Sequence, residues 1–315
     1  MEKRNSSIFN FSKFILAIVT IVFATGLIFN HLFEKYVIYG GTISGASKVN
    51  RIINETHPDE IPIFGSSRAQ GGYIPSILSK NHFNYGIDGI QANIWLFFLE
   101  KELLKDKKTD IIINFDLRGL VYGDGNEINY IPNYMEVKSV LEQSQNSHWL
   151  YKIPFFKYFG YYEKYTKYIL NEKTNLTKVT DSGGSFEKNE LTKQKFDQLV
   201  ETRLNTTAKF HIEKELEKKL ESLMKSTDRK ILFVVAPYHS SCLNRFENVE
   251  EVSQYLKNLN KIKNVTVFDF GNFLDKDHLF MNTTHVNYNG AKVFSEQLKS
   301  IISDRNYRNN GYNIK

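Results

Sequence analysis

Cysteine is almost missing from this chain of 315 residues: Cys242 is the single one. One thiol excludes an intramolecular disulfide framework, an all-cysteine zinc site and a cysteine-ligated iron–sulfur centre. Proline is scarce, at six residues, and glycine moderate, at 18, so collagen-like and proline-rich classes are excluded as well. No run of Lys or Arg has the length of a nucleic-acid-binding arm. Forty-one basic residues against 35 acidic leave a net charge of +6, a mild excess that implies no nucleic-acid partner. His57, His82, His148 and His211 do not pair at metal-ligand spacing, and neither a metal nor another cofactor is expected. What remains is globular: 41% hydrophobic and 24% charged, long enough for one large domain or two small ones with a sizeable core.

Charge is also lacking from Phe14 to Phe33, His31 apart. Twenty helical residues at about 1.5 Å each span about 30 Å, the thickness of a bilayer core. Lys3, Arg4 and Lys13 precede the run; Glu34 and Lys35 follow it, and then nothing charged until Lys48. This bias predicts residues 1–13 in the cytoplasm, a single span over 14–33, a linker over 34–57 and the body outside. A cleaved signal peptide would have a shorter apolar core, and the poor cleavage match Ala24-Thr25-Gly26 lies inside the run. No polar face interrupts the run, unlike a helix buried at the surface of a core.

Beyond residue 58 the chain alternates. Ile61–Phe64, His82–Tyr85, Asp110–Phe115, Lys230–Ala236 and Val265–Phe270 read as strands. Gln91–Leu104, Lys209–Lys225, Val249–Leu259 and Asn289–Ile302 read as helices. Continuous apolar strands between amphipathic helices predict an α/β doubly wound, mostly parallel five-stranded sheet. About residues 122–228 interrupt the alternation and read as a helical insert. Its aromatic segment 151–162 reads as helix core or as a candidate for carbohydrate or lipid contact, and Asp181-Ser182-Gly183-Gly184-Ser185 as a flexible hinge or loop. The tail 306–315 is polar.

Ligands of such sheets bind at the carboxyl ends of the strands. Those ends carry Gly65-Ser66-Ser67-Arg68; Gly86 and Gly89; Asp116 and Arg118; His239; and, after the fifth, Asp275, Asp277, His278, Asn282 and His285. Gly65-Ser66-Ser67, Asn84 with Gly89, and His285-Val286-Asn287-Tyr288-Asn289-Gly290-Ala291 together resemble the SGNH (GDSL-type) hydrolase superfamily. Within it the chain is similar to membrane-anchored members, such as the teichoic-acid D-alanine transfer proteins and the alginate O-acetyltransferases. The resemblance covers residues 58–125 and 228–305 and the apolar run, and not the insert.

It implies a flavodoxin-like fold over 58–305 and a catalytic serine at Ser67, two positions after its glycine. His285 is then the general base, and the backbone N–H groups of Ser67 and Gly89 form the oxyanion hole. A serine hydroxyl needs an adjacent base to become a nucleophile, and a sharp strand-to-helix turn at Gly65 would expose it. Two positions depart from the family. Asn282 stands where an Asp precedes the catalytic His by three residues, with Asp275 and Asp277 nearby as substitutes. Asp116 stands where an oxyanion Asn is usual, and as a carboxylate it would help only if protonated. Arg68, Arg118 and His239 are candidate substrate contacts, Arg68 also reading as a helix-start residue.

The implied activity is movement or removal of an acyl group, foremost acetyl, on a cell-surface polysaccharide, from the outer side of a bacterial cytoplasmic membrane. A membrane-bound O-acyltransferase would be the partner. The competing class is a scaffold or glycan-binding component whose triad has decayed at Asn282.

Overall fold

A computed structural model of the chain describes residues 2–38, 45–123, 179–203 and 209–303, and seven further residues between 153 and 170. Helix α1 (Glu2–Phe33) continues into a π-helical turn over Glu34–Ile38. Within Phe11–Val37 it reaches a mean hydropathy of 2.2 and is scarcely buried. Among the described residues it is the one helix long and apolar enough to cross a membrane, by length and composition.

The body then runs α2 (Gly45–Asn54), β1 (Ile61–Phe64), α3 (Ser67–Gly72), α4 (Pro75–Leu78), β2 (His82–Asn84), α5 (Ala92–Leu103), β3 (Ile111–Asn114) and β4 (Gly119–Leu120). After the insert come β5 (Val179–Asp181), β6 (Gly184–Phe186), α6 (Lys193–Arg203), β7 (His211–Ile212), α7 (Lys214–Lys225) and β8 (Ile231–Val235). The chain closes with α8 (Ser240–Leu243), α9 (Val249–Leu259), β9 (Val265–Asp269) and α10 (Tyr288–Ile302).

The central sheet is parallel throughout, in the order β2-β1-β3-β8-β9. Alternation along the strands divides the core into two layers. Phe64, Ile111, Ile113, Phe233 and Val267 face α2, α5, α7 and α9. Ile63, Ile112, Leu232, Val234 and Phe268 face α3, α4 and α10. The order steps outward in both directions from the β1–β3 pair. That reversal opens a crevice at the carboxyl ends of β1 and β3, where doubly wound sheets bind their ligands.

Three segments differ from the sequence reading. Residues 34–57 are not all linker: Val49 and Ile52 of α2 are fully buried. Lys48, in the first turn of α2, donates to the Gly86 carbonyl beyond the end of β2. Arg51 pairs with Glu60, just before β1. Helix α2 therefore runs antiparallel to the strands and belongs to the body. The helix read over 209–225 begins only at Lys214, because His211 and Ile212 pair with Gly119 and Leu120 as a short parallel ladder. The segment 181–185 is neither a hinge nor a loose loop: it forms a hairpin in which Asp181 pairs with Gly184. Its loop, Ser182-Gly183, has φ of 42° and 90°, the left-handed pair of a type I′ turn. Most of the insert, including most of 151–162, and the tail lie outside the described residues. Of the aromatic segment, Phe155 and Tyr162 pack against Phe29 of α1.

The hairpin covers the open edge of the sheet. Asn84 of β2 donates its backbone N–H to the Ser182 carbonyl at 2.8 Å. A Cβ on Gly183 would lie 2.3 Å from the Asn84 oxygen. Gly183→Ala is therefore expected to lower stability by roughly 1–3 kcal/mol, seen as a fall in the thermal unfolding midpoint. An unchanged midpoint would mean that the hairpin is not seated on β2.

Candidate active site

Strand β1 ends at Gly65, whose φ is +148° and whose hydrogen is packed between Ala69 and Asn114; a Cβ there would come within 2.8 and 2.9 Å of their Cβ atoms. Only glycine permits that tight turn. Ser66 follows as the N-cap of α3, its Oγ accepting the Arg68 N–H, and Ser67 becomes the first helical residue. The second block is tied to the same helix. Asn84 donates to the carbonyl of Ala69 at 2.8 Å and accepts the Gly86 N–H at 2.9 Å. Gly86 fits so closely that a Cβ would lie 2.5 Å from the Gln70 nitrogen. Gly89, with φ of +77°, turns the chain at the rim.

Ser67 Oγ lies 2.8 Å from His285 Nε2, although the two are 218 residues apart in sequence. The other ring nitrogen, Nδ1, faces Asn282 Oδ1 at 3.1 Å and Thr284 Oγ1 at 2.9 Å. The Asn282 amide orientation is fixed by two backbone donors, since the N–H groups of Thr284 and His285 each reach Oδ1 at 2.9 Å. An amide oxygen only accepts, so the proton sits on Nδ1 and the lone pair of Nε2 is directed at the serine. Burial, helped by the nearby cations Arg68 and Arg118, lowers the His285 pKa to about 4. At neutral pH the imidazole is neutral and able to accept a proton.

Asn282 thus sits where a triad carboxylate would. Neither Asp275 nor Asp277 substitutes for it: both are exposed, and Asp277 instead accepts from His239 Nε2 at 3.0 Å. His239 is buried and caps α8 through Nδ1, so it braces the loop before Asn282 and does not line the cleft. Arg68 lines the cleft but is largely buried, its guanidinium committed to partners within the protein. Its guanidinium lies over the Tyr238 ring, pairs with Asp116 at 3.0 Å and donates to the carbonyls of Ala236, at 2.6 Å, and Thr284. Asp116 accepts from Ser66 at 2.6 Å and from Asn114 at 3.1 Å, so it is an acceptor and not an oxyanion donor.

Ser67, His285 and Gly89 open on a cavity of about 160 Å³ that Arg118, Cys242 and Phe246 also line. Among the described residues the N–H groups of Ser67 and Gly89 have no acceptor, which leaves both able to stabilise a developing oxyanion. The arrangement can do nucleophilic acyl chemistry: an activated hydroxyl, an oriented base and donors for the intermediate.

The sequence matches no protein-family model and no curated protein. Fourteen chains of solved structures match. One, from Streptococcus pneumonia and described provisionally as a platelet activating factor, is 13% identical over 87% of this chain and 98% of its own, with a TM-score of 0.43.

Sequence reasoning missed Thr284 and Tyr238. Thr284 adjoins the marked His285, but a hydroxyl beside a histidine is no signal by itself. Tyr238 stands just beyond the end of β8, and its contact with Arg68 spans 170 residues of chain.

A base acts only while neutral, so reactivity of wild-type Ser67 should fall as pH drops through about 4. Asn282→Asp keeps the acceptor and adds a charge beside Nδ1, which favours the imidazolium and raises its pKa. The acid limb of Ser67 acylation by 4-nitrophenyl acetate should move upward in pH, and the rate at neutral pH should rise about 10-fold or more. A limb that stays in place would show that Asn282 does not contact the imidazole in solution.

Proposed function

We propose that the chain is a serine-dependent acyl-ester enzyme acting outside the membrane in which α1 anchors it. The observation that carries the reading is the 2.8 Å contact between Ser67 Oγ and a His285 ring whose other nitrogen is held by Asn282. In the first half-reaction Ser67 Oγ attacks the ester carbonyl while His285 Nε2 takes its proton. The tetrahedral oxyanion is met by the Ser67 and Gly89 N–H groups. Collapse expels the alcohol, which takes the proton back from His285, and leaves an acyl-serine. A sugar hydroxyl or water then gives its proton to His285, attacks the acyl group and releases Ser67.

The cavity supports a short acyl group. Its volume of about 160 Å³ is enough for an acetyl group beside Ser67. Acetyl transfer to or from a cell-surface polysaccharide, with a membrane-bound O-acyltransferase delivering the acyl group, fits this chemistry and the apolar helix. The single-pass orientation rests on the basic residues Lys3, Arg4 and Lys13 before the span.

A fluorophosphonate should label Ser67 covalently. Ser67→Ala should abolish labelling, His285→Ala should reduce it by about 10³-fold or more, and Ser66→Ala should leave most of it. Turnover should fall steeply from acetyl to octanoyl esters. If wild type is not labelled, while Ser67→Ala restores surface acylation to cells lacking the gene, the protein is a non-catalytic scaffold.

A further inference from the structure

Resting on the reading of Ser67 as the nucleophile, we propose that Arg118 binds an anionic group, a phosphate or a carboxylate, carried by the substrate close to its ester. The enzyme would then select short acyl esters on an anionic scaffold rather than on a neutral one.

The backbone at Arg118 is held on both sides. Its carbonyl accepts the His211 N–H at 3.0 Å, and Gly119 donates back to the Asp116 carbonyl at 2.8 Å. Gly119 has φ of +92°, and a Cβ there would lie 2.1 Å from the His211 oxygen, so the corner has no room to shift. The side chain that leaves this corner is exposed and lines the same cavity as Ser67 and His285. A guanidinium rising from a held backbone offers a planar fork to two oxygens of a phosphate or carboxylate.

Its charge is unanswered among the described residues. Among the described residues no carboxylate pairs with Arg118. Asp116 is the one acidic residue lining the cavity, and its two oxygens are engaged by Ser66, Asn114 and Arg68. The Arg68 charge is answered by that same carboxylate, and Asp88 beside Gly89 is exposed and makes no bond to Arg118. Asn282, where the usual triad would add a negative charge, is neutral. The described lining therefore carries one net positive charge, and Arg118 is near enough to the reacting centre to add, after burial and Arg68, to the lowering of the His285 pKa. The remaining wall, with Ile90, Tyr238 and Phe246, is uncharged. A neutral ester makes no use of this cation; an anionic one pairs with it.

Two measurements on the full-length protein test this. The first is equilibrium binding to the Ser67→Ala protein of phenyl phosphate, benzoate and neutral benzamide, three probes of similar size that need no turnover. One or both anions should bind roughly 10-fold or more tighter than benzamide. Their preference should shrink with added salt and collapse in Ser67→Ala/Arg118→Gln, while Arg118→Lys should keep part of it. Whichever anion is favoured identifies the group. Equal binding of the three, or a preference that survives Arg118→Gln, overturns the proposal. The second is the ratio of kcat/KM for aryl acetates bearing a phosphate, a carboxylate or a carboxamide on the ring. Wild type should favour the charged esters and Arg118→Gln should lose that ratio; a ratio near one in wild type overturns the proposal. Failure of the catalytic reading is told apart by Ser67 remaining unlabelled by fluorophosphonate and no ester turning over, in which case the binding series alone decides the role of Arg118.

Discussion

The guanidinium of Arg68 holds the cleft together. It belongs to the helix that begins at Ser67, yet it reaches the ends of three other elements: Asp116 after β3, the carbonyls of Ala236 and Pro237 after β8, and the carbonyl of Thr284 next to the base. Tyr238 stacks beneath it. A buried cation is destabilising unless it is paired and hydrogen-bonded, and here the counter-ion and the carbonyl acceptors of its terminal nitrogens come from separate parts of the chain. The same contact accounts for Asp116. In its place an asparagine would leave the Arg68 charge uncompensated, so the carboxylate is a structural counter-ion rather than a failed oxyanion donor. Serine, base loop and sheet edge are fixed relative to one another by one planar group.

The electrostatics of the base follow from its neighbours. A carboxylate beside Nδ1 would stabilise the imidazolium and raise its pKa. Asn282 supplies the same acceptor geometry without the charge, and two arginines add positive potential nearby. Orientation and charge stabilisation, normally supplied by one side chain, are separated here. The amide keeps the tautomer, while the ring stays neutral through burial. His82, also buried, shows the same effect, its pKa lowered to about 4 with Ser79 alone against Nδ1.

The sheet was legible because its evidence is local. Ile111–Asn114 and Ile231–Val235 are unbroken apolar runs, as strands covered on both faces must be. Ser67 and His285 were legible through the residues around them, Gly65 for the turn and Asn287 for the helix cap. What escaped was set by partners far away in sequence. Lys48 reads as a surface charge until its bond to Gly86 is seen, and α2 then changes from tether to core. His211 and Ile212 continue a helical pattern, but a two-residue ladder with Gly119 and Leu120 outweighs the propensity of one more turn. Ser182-Gly183 carried a hairpin signal of its own, masked by a run of small polar residues that also suits a loose loop. Asp275 and Asp277 were near His285 in sequence only; the short turn over Asp277–Leu279 directs them to solvent and to His239.

The antiparallel course of α2 has a spatial consequence. The chain leaves the apolar helix at Ile38 and re-enters the body at Gly45, within one turn of Lys48, whose ammonium holds the loop leading to Gly89. Seven residue steps reach about 25 Å at full stretch. The chain therefore enters the body at the rim of the cleft and not at the far edge of the sheet. On the proposed reading, with α1 in a bilayer, that entry point would keep the cleft near the lipid headgroups. An ester held there would meet it at a high effective concentration, while one farther out along a polymer would meet it only if the polymer bent back.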